Sequence, residues 1–481
     1  MNRSLILFFT GRLIRIEALL LLLPLLVSAI YRESCFWSFL SVIVLCLIAG
    51  QTMMWTFKPK SYTIYAREGF IIVALSWLVC SALGALPFVL SGEIPSYTDA
   101  FFETVSGFTT TGASILTNVE ALSRGLLFWR SFTHWVGGMG ILVFIVALLP
   151  GVSDRSIHIL KAEMPGPIMG KLKPRLKDTA KILYLIYIAM TLLQILLLLA
   201  GGMPLFDSVV HAFGTAGTGG FGIKADSIAS YSPYLQWIIT IFMLLFSLNF
   251  NLYFLLYRRK VKDVLKSSEL WCFMGIVAGS IALVTLNILK MYPSFWESLR
   301  HGAFQVSSII STSGFATTDF DLWPSFSKAI LLVLMFIGAC AGSTGGGLKV
   351  SRVIILFKSV KQELTKMLHP RSVGSVKFEG KTLDSATTGS VRNYFALYMI
   401  CFFSIFLLLS LEPFSVETNF SAVAACFNNI GPGLDAVGPT LSYAQYGVFS
   451  KWLLSFAMLL GRLEIFPLLL ALSPSTWRIR K

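Results

Sequence analysis

Charge is what this sequence has least of. Asp, Glu, Lys and Arg make up only 13% of its 481 residues, where soluble proteins carry about a quarter, and the mean hydropathy is +0.74. A soluble enzyme is excluded. Paired cysteines are also missing. Cys35, Cys46, Cys80, Cys272, Cys340, Cys401 and Cys426 are scattered through apolar stretches, and the five histidines form no cluster with Cys or Asp. Neither a disulfide framework nor a structural metal is implied. No G-x-G-x-x-G follows a strand, there is no P-loop, and no soluble stretch is large enough to hold a nucleotide. A hydrolase built on Ser106 or Ser343 with His134 or His211 has no nucleophile elbow, H-E-x-x-H or membrane aspartate pair behind it.

What is present is a succession of apolar runs. A membrane helix needs about 20 such residues, and runs at 13–30, 36–57, 69–90, 127–149, 182–201, 235–257, 270–291, 329–357, 394–411 and 452–472 predict ten spans. The first is too long for a signal peptide and lacks a small-residue cleavage site, so it reads as a retained helix. The net charge of +15 comes from short basic clusters between runs, not from one polar face, which argues against nucleic acid as a partner. These clusters (Arg12/Arg15, Lys58/Lys60/Arg67, 155–181, 258–266, 349–381 and Arg478/Arg480/Lys481) fall on every second connection. Because basic loops stay cytoplasmic, both termini are predicted to be cytoplasmic.

Four outward connections each hold an apolar stretch too short to span, followed by Gly, Thr and Ser. Aligned on one glycine they end in Thr110-Thr111-Gly112-Ala113, Thr218-Gly219-Gly220-Phe221, Thr312-Ser313-Gly314-Phe315 and Asn429-Ile430-Gly431-Pro432, about a hundred residues apart. Such a repeat means one unit used four times: helix, short re-entrant helix, Gly-containing loop, helix. Single loops of this kind are ordinary in helical bundles, where small residues aid packing. Four aligned copies on one face instead point to a common axis lined by backbone carbonyls, which can replace the hydration shell of a monovalent cation. Asp99, Asp207, Glu297 and Glu417 lie where a carboxylate can cap the re-entrant helices. Thr110, Thr218 and Thr312 can add a hydroxyl ring, a pattern that Asn429 breaks.

These loops, together with Trp135-Val-Gly-Gly-Met-Gly140, Gly342-Ser-Thr-Gly-Gly-Gly-Leu-Lys349, His369-Pro-Arg371 and Gly461-Arg-Leu-Glu464, resemble the TrkH branch of the Trk/Ktr/HKT potassium transporters over essentially the whole chain. The four tetrapeptides look like that family's degenerate versions of the potassium-channel filter. The resemblance implies an all-α polytopic membrane protein of the bacterial cytoplasmic membrane. Its parts would be two N-terminal helices (1–66) and pore repeats at 67–178, 179–267, 268–388 and 389–481. It further implies K+ as the transported ion, a homodimer with one pore per subunit, and gating by a cytoplasmic TrkA-type nucleotide-binding subunit. Nucleotide is expected only on that partner, and no covalent cofactor on this chain. A Na+- or H+-coupled potassium symporter of the same superfamily is the alternative.

Two positions stand out of the pattern. Gly345, Gly346 and Gly347 interrupt the apolar run 329–357 at a cost of about 3 kcal/mol of helix propensity relative to alanine. The segment reads either as close helix packing or as an unwound plug under the filter, a gate that begins at Gly342 and to which flanking Ser343, Thr344 and Lys349 give polar contacts. The matching family segment looks like an intramembrane gating loop. Arg462 lies inside the last apolar run and reads as a pore-facing barrier or as the partner of Glu464. The family's matching arginine is similar in facing the pore. Arg130 is expected to snorkel to the interface.

Overall fold

The computed structural model describes residues 2–61, 64–140, 176–371 and 374–477. Apart from one hairpin, Lys377–Phe378 against Lys381–Thr382, its regular structure among these residues is helical. Two N-terminal spans, Arg3–Tyr31 and Cys35–Thr56, pack against each other and on the first repeat. The outer helices of the repeats follow: Arg67–Leu90, Lys181–Ala200, Ser268–Ile288 and Ser385–Leu409. These six are the described helices long and apolar enough to cross a membrane unbroken. Their outward faces are apolar, with Leu19, Leu26, Trp37, Ile48, Leu196, Leu286 and Leu407 exposed, as a lipid-facing surface requires.

Each outer helix leads to a short re-entrant helix: Tyr97–Phe108, Leu205–Ala216, Phe295–Ile310 and Val416–Phe427. Twelve residues, the length of three of the four, reach about 18 Å, roughly half a bilayer core. The expected acids do lie in the first turns, but they are not the caps. Ser96, Ser294 and Ser415 accept the N–H of Asp99, Glu297 and Thr418 respectively, while Pro204 opens the second helix without a side-chain cap. The carboxylates are used elsewhere. Asp99 pairs with Lys451 at 2.6 Å, Glu297 with Arg300 at 3.5 Å and Glu417 with Lys328 at 3.7 Å, and Asp207 accepts the Tyr231 hydroxyl at 2.8 Å.

The inner helices depart from the sequence reading. Each was expected as one span, the third broken at its glycines, yet in the second, third and fourth repeats the described helix is interrupted elsewhere or more widely. In the second repeat Pro233–Ser247 and Phe250–Tyr257 meet at 90°, because Asn249 restarts the helix by accepting the Asn251 N–H. In the third, Ser325–Met335 and Val350–Leu368 are separated by a loop at 336–349, much longer than the three-glycine break expected. In the fourth, Val448–Arg462 and Phe466–Leu472 flank Glu464 and Ile465, whose φ values of 61° and 59° no helix accommodates. In the first, the helix Arg124–Gly138 ends at Gly138, and residues 141–149 of the predicted run 127–149 lie outside the described residues. Hydropathy averages over such breaks and does not register them.

Candidate permeation site

The four loops are built alike. Every re-entrant helix ends in a left-handed residue, Thr110, Thr218, Thr312 and Asn429, with φ of 55° to 60°. The next N–H then reaches back five residues: Thr111 to Ser106 O (2.9 Å), Gly219 to Gly214 O (2.8 Å), Ser313 to Ser308 O (2.9 Å) and Ile430 to Ala425 O (2.8 Å). This is the Schellman closure that satisfies a helix's last carbonyls. Asn429 therefore keeps the backbone pattern that its side chain had seemed to break, as asparagine tolerates the left-handed region better than most residues. The residue after it has negative φ, and the glycine that follows, Gly112, Gly220, Gly314 or Gly431, returns to positive φ of 76° to 99°. Backbone of alternating handedness turns successive carbonyls to one side.

The loops also close on one another. A Cβ built on Gly112 would lie 2.0 Å from the Gly219 carbonyl oxygen. One on Gly220 would lie 1.8 Å from Ser313 O, one on Gly314 2.0 Å from Ile430 O, and one on Gly431 2.7 Å from Thr111 O. Each glycine thus abuts the carbonyl that precedes its counterpart in the next loop, in the order one, two, three, four and back to one. Ala113, Phe221 and Phe315 follow the glycines and are buried, with Pro432 partly so.

Polar side chains brace this ring from behind. Arg130 does not snorkel. It is 3% exposed, pairs with buried Glu103 at 2.5 Å, donates to Gly222 O at 2.8 Å and lies 3.5 Å over the Phe221 ring. Glu103 in turn accepts from Ser114 Oγ and the Ile115 N–H. His134 Nδ1 contacts Gly107 O at 2.7 Å and its Nε2 accepts the Phe221 N–H at 3.3 Å, so the ring is neutral with both nitrogens committed. Asn429 Nδ2 donates to Thr111 Oγ1 and to Met458 O, both at 2.9 Å. Of the threonine hydroxyls expected to form a ring, that of Thr312 accepts from Gly346, that of Thr218 donates to Gly217 O, and that of Thr110 is buried without a partner. No uniform ring results.

A cavity of 240 Å³ opens on one side of the carbonyls, touching all four glycines. On the other side the space is only 50 Å³, and its walls include Gly345, Gly346, Gly347, Lys349 and Arg462. The loop 336–349 causes the difference. Gly346 donates to Thr312 Oγ1 at 2.8 Å, and a Cβ on it would meet the Asn429 Cβ at 2.7 Å. Thr344 Oγ1 donates to Phe246 O at 3.2 Å and Phe250 N to Gly342 O at 3.0 Å, while Ser343 Oγ donates to Cys340 O within the loop. The Lys349 ammonium, 3% exposed, donates to Gly345 O and Gly346 O. Arg462 spans the space, donating to Thr344 O at 2.7 Å and to Gly137 O and Gly138 O at 2.6 and 2.8 Å. Glu464 turns away to pair with Arg352.

The family model for TrkH, described as a cation transport protein, matches residues 37–479. The chain belongs to the TrkH family. It is a multi-pass transport protein and not an enzyme. The Trk system potassium uptake protein TrkH of Salmonella typhimurium is 38% identical over 98% of this chain and 97% of the relative. The Trk system potassium uptake protein TrkG of Escherichia coli is 35% identical over 97% of each. The crystal structure of the potassium transporter TrkH from Vibrio parahaemolyticus aligns with a TM-score of 0.89 at 35% identity, over 99% of this chain and 100% of that one.

For a TrkH-family chain, the sequence reading missed the Glu103–Arg130 bridge. Glu103 sits mid-way along an apolar re-entrant helix, and an intramembrane acid usually signals a buried partner; that signal was present and unused. The serine–histidine pairs weighed for hydrolysis are not formed. Ser106 Oγ has no hydrogen-bond partner, Ser343 bonds Cys340 O, and His211 Nδ1 is engaged with Asp207 O.

Proposed function

We propose that the chain is a potassium-uptake subunit that conducts K+ in channel-like fashion through the four-loop ring. The observation that carries this reading is the closed circuit of carbonyls, in which each glycine makes room for its neighbour's oxygen. Such a ring is a replacement hydration shell for a bare monovalent cation. The relatives are named as potassium uptake proteins and the matching solved structure as a potassium transporter, which supports K+ as the ion. The loop 336–349 is the gate, and Lys349 and Arg462 are its fixed positive charges. A coupled symporter needs an ionisable relay along the path, whereas the ionisable walls of the inner cavity are Lys349, Arg462 and a Glu464 already paired with Arg352.

The membrane is the bacterial cytoplasmic membrane, with both termini inside, following the basic connections. Control comes from a cytoplasmic nucleotide-binding partner of TrkA type. Lys358, Lys361 and Lys366 are exposed on Val350–Leu368, the helix that leaves the gate. The same helix exposes Phe357, Val360, Leu364 and Met367, an apolar stripe that supports pairing into a homodimer. K+ flux into proteoliposomes, with and without Na+ and proton gradients, tests the reading. Flux driven by the K+ gradient alone is expected, and an absolute requirement for either other gradient would replace the channel with a symporter.

A further inference from the structure

Glu269 stands in the first turn of the third outer helix, away from the ring, yet it is only 4% exposed. Its Oε1 accepts the N–H of Ala341 at 2.8 Å and that of Ser351 at 3.2 Å. Those two donors flank the glycine run: Ala341 lies mid-loop ahead of Gly345, and Ser351 is in the first turn of the helix that follows the loop. One carboxylate therefore clamps the backbone on both sides of the glycine run to a rigid outer helix.

The turn that carries Glu269 is itself held from the polar end of the molecule. The hairpin 377–382 turns at Glu379 and Gly380, both left-handed, with φ of 48° and 71°. Glu379 Oε1 there accepts from Ser267 Oγ at 3.1 Å, Ser268 Oγ at 3.0 Å and the Glu269 N–H at 2.9 Å. A carboxylate on the first N–H groups of a helix is favoured by both hydrogen bonding and the helix dipole. The hairpin is tied in turn to the helix leaving the gate, where Lys358 donates to Lys377 O at 2.9 Å and Phe378 packs with Ile355.

We propose that Glu269 is a positioning residue that latches the gate loop shut from outside the pore, and that the Glu379 hairpin sets this latch. The inference deepens the gating assignment above and rests on it. A force on the hairpin reaches the loop through Glu269 without passing through the ring. The latch therefore changes how often the gate opens and leaves ion choice alone.

The test uses the full chain in proteoliposomes without any partner, and three readings: Rb+ flux, the K+/Na+ permeability ratio, and the rate at which maleimide modifies Cys340. Cys340 is a fully buried gate-loop thiol, and peptide mass spectrometry separates it from the other cysteines. Glu269→Ala is expected to raise flux and Cys340 modification roughly tenfold, as loss of hydrogen bonds to a charged group implies, with the permeability ratio unchanged. Glu269→Gln keeps an acceptor oxygen and should give a smaller rise in both, so it carries the test should the alanine variant not fold. Glu379→Ala should act in the same direction and add nothing on top of Glu269→Ala. Wild-type flux and modification in both Glu269 variants, or a shifted permeability ratio, overturns the latch. Additive effects of Glu379→Ala overturn the hairpin's part. Faster Cys340 modification without extra flux upholds the latch and overturns the loop as the gate.

Discussion

Substituting the ring glycines should damage the ring in a graded order that the geometry dictates. Real Cβ atoms essentially never come within 3.0 Å of such a neighbour, so alanine or serine at Gly220 forces Ser313 O back by at least 1.2 Å, at Gly112 or Gly314 the facing oxygen by at least 1.0 Å, and at Gly431 Thr111 O by only 0.3 Å. All four positions also hold positive φ, which adds about 1 kcal/mol for a residue with a Cβ, so that common strain does not set the order. Take a carbonyl oxygen as about half a unit charge in an effective dielectric of about 20. A retreat of about 1 Å from a cation at about 2.8 Å then loses about 0.8 kcal/mol, or roughly fourfold in K+ binding per oxygen. The displaced oxygen also loosens the fixed cage on which discrimination against the smaller Na+ depends. Gly112→Ser, Gly220→Ser and Gly314→Ser should therefore lower the K+/Na+ permeability ratio several-fold, and Gly431→Ser least. Rb+ uptake competed by Na+ in proteoliposomes measures this, with thermal unfolding as the folding control. A folded Gly112→Ser with an unchanged ratio, or a Gly431→Ser as damaging as Gly220→Ser, would refute the ring.

Deleting Gly345 to Gly347 should increase flux and leave the permeability ratio intact, since the ring lies beyond the loop; flux assays with bound-K+ controls decide it. Arg462→Ala should raise conduction by removing both a charge, worth about 1 to 4 kcal/mol against K+ at 4 Å, and the tie to Thr344 O. Arg462→Lys keeps the charge without the forked contacts, so its conduction separates the barrier from the tie. Arg130→Ala leaves Glu103 buried and unpaired and should cost about 3 to 5 kcal/mol, seen as a lowered Tm that the added Glu103→Gln change partly restores. Neutralising Lys358, Lys361 and Lys366 together should abolish nucleotide-dependent flux with the proposed regulatory partner, whereas full nucleotide control by the isolated chain would exclude such a partner. Asp435, outside the membrane-spanning helices, accepts from Ser415 Oγ at 2.6 Å and Thr418 Oγ1 at 2.5 Å, and these hydroxyls hold its carboxyl below the usual range. Its contribution to stability is present above pH ~4 and disappears as pH falls through the lowered value, so Asp435→Asn should flatten the acid limb of the Tm profile.

The fourfold unit, the outer helices and the loop glycines were legible in the residues alone, because each rests on local physics: a run's length against the bilayer, a basic cluster's aversion to crossing, a recurring Gly after Thr. The same reading joined 235–257 and 452–472 into single spans, since Asn249 and the pair Glu464–Ile465 break helices by backbone geometry that leaves mean hydropathy untouched. Arg130 was misplaced for a related reason. Whether a charge within an apolar helix snorkels or pairs depends on what faces it, and Glu103 sits 27 positions away on another helix. Sequence by itself determined the class of protein, its repeats and where backbone must replace side chains. Only the tertiary structure decided that the four loops close head to tail into one ring, that 336–349 lies beneath it, and that Glu269 holds the backbone on both sides of the glycine run. Those contacts join residues far apart in the chain, those of the ring from different repeats, and no local pattern records which distant carbonyl will face a given glycine.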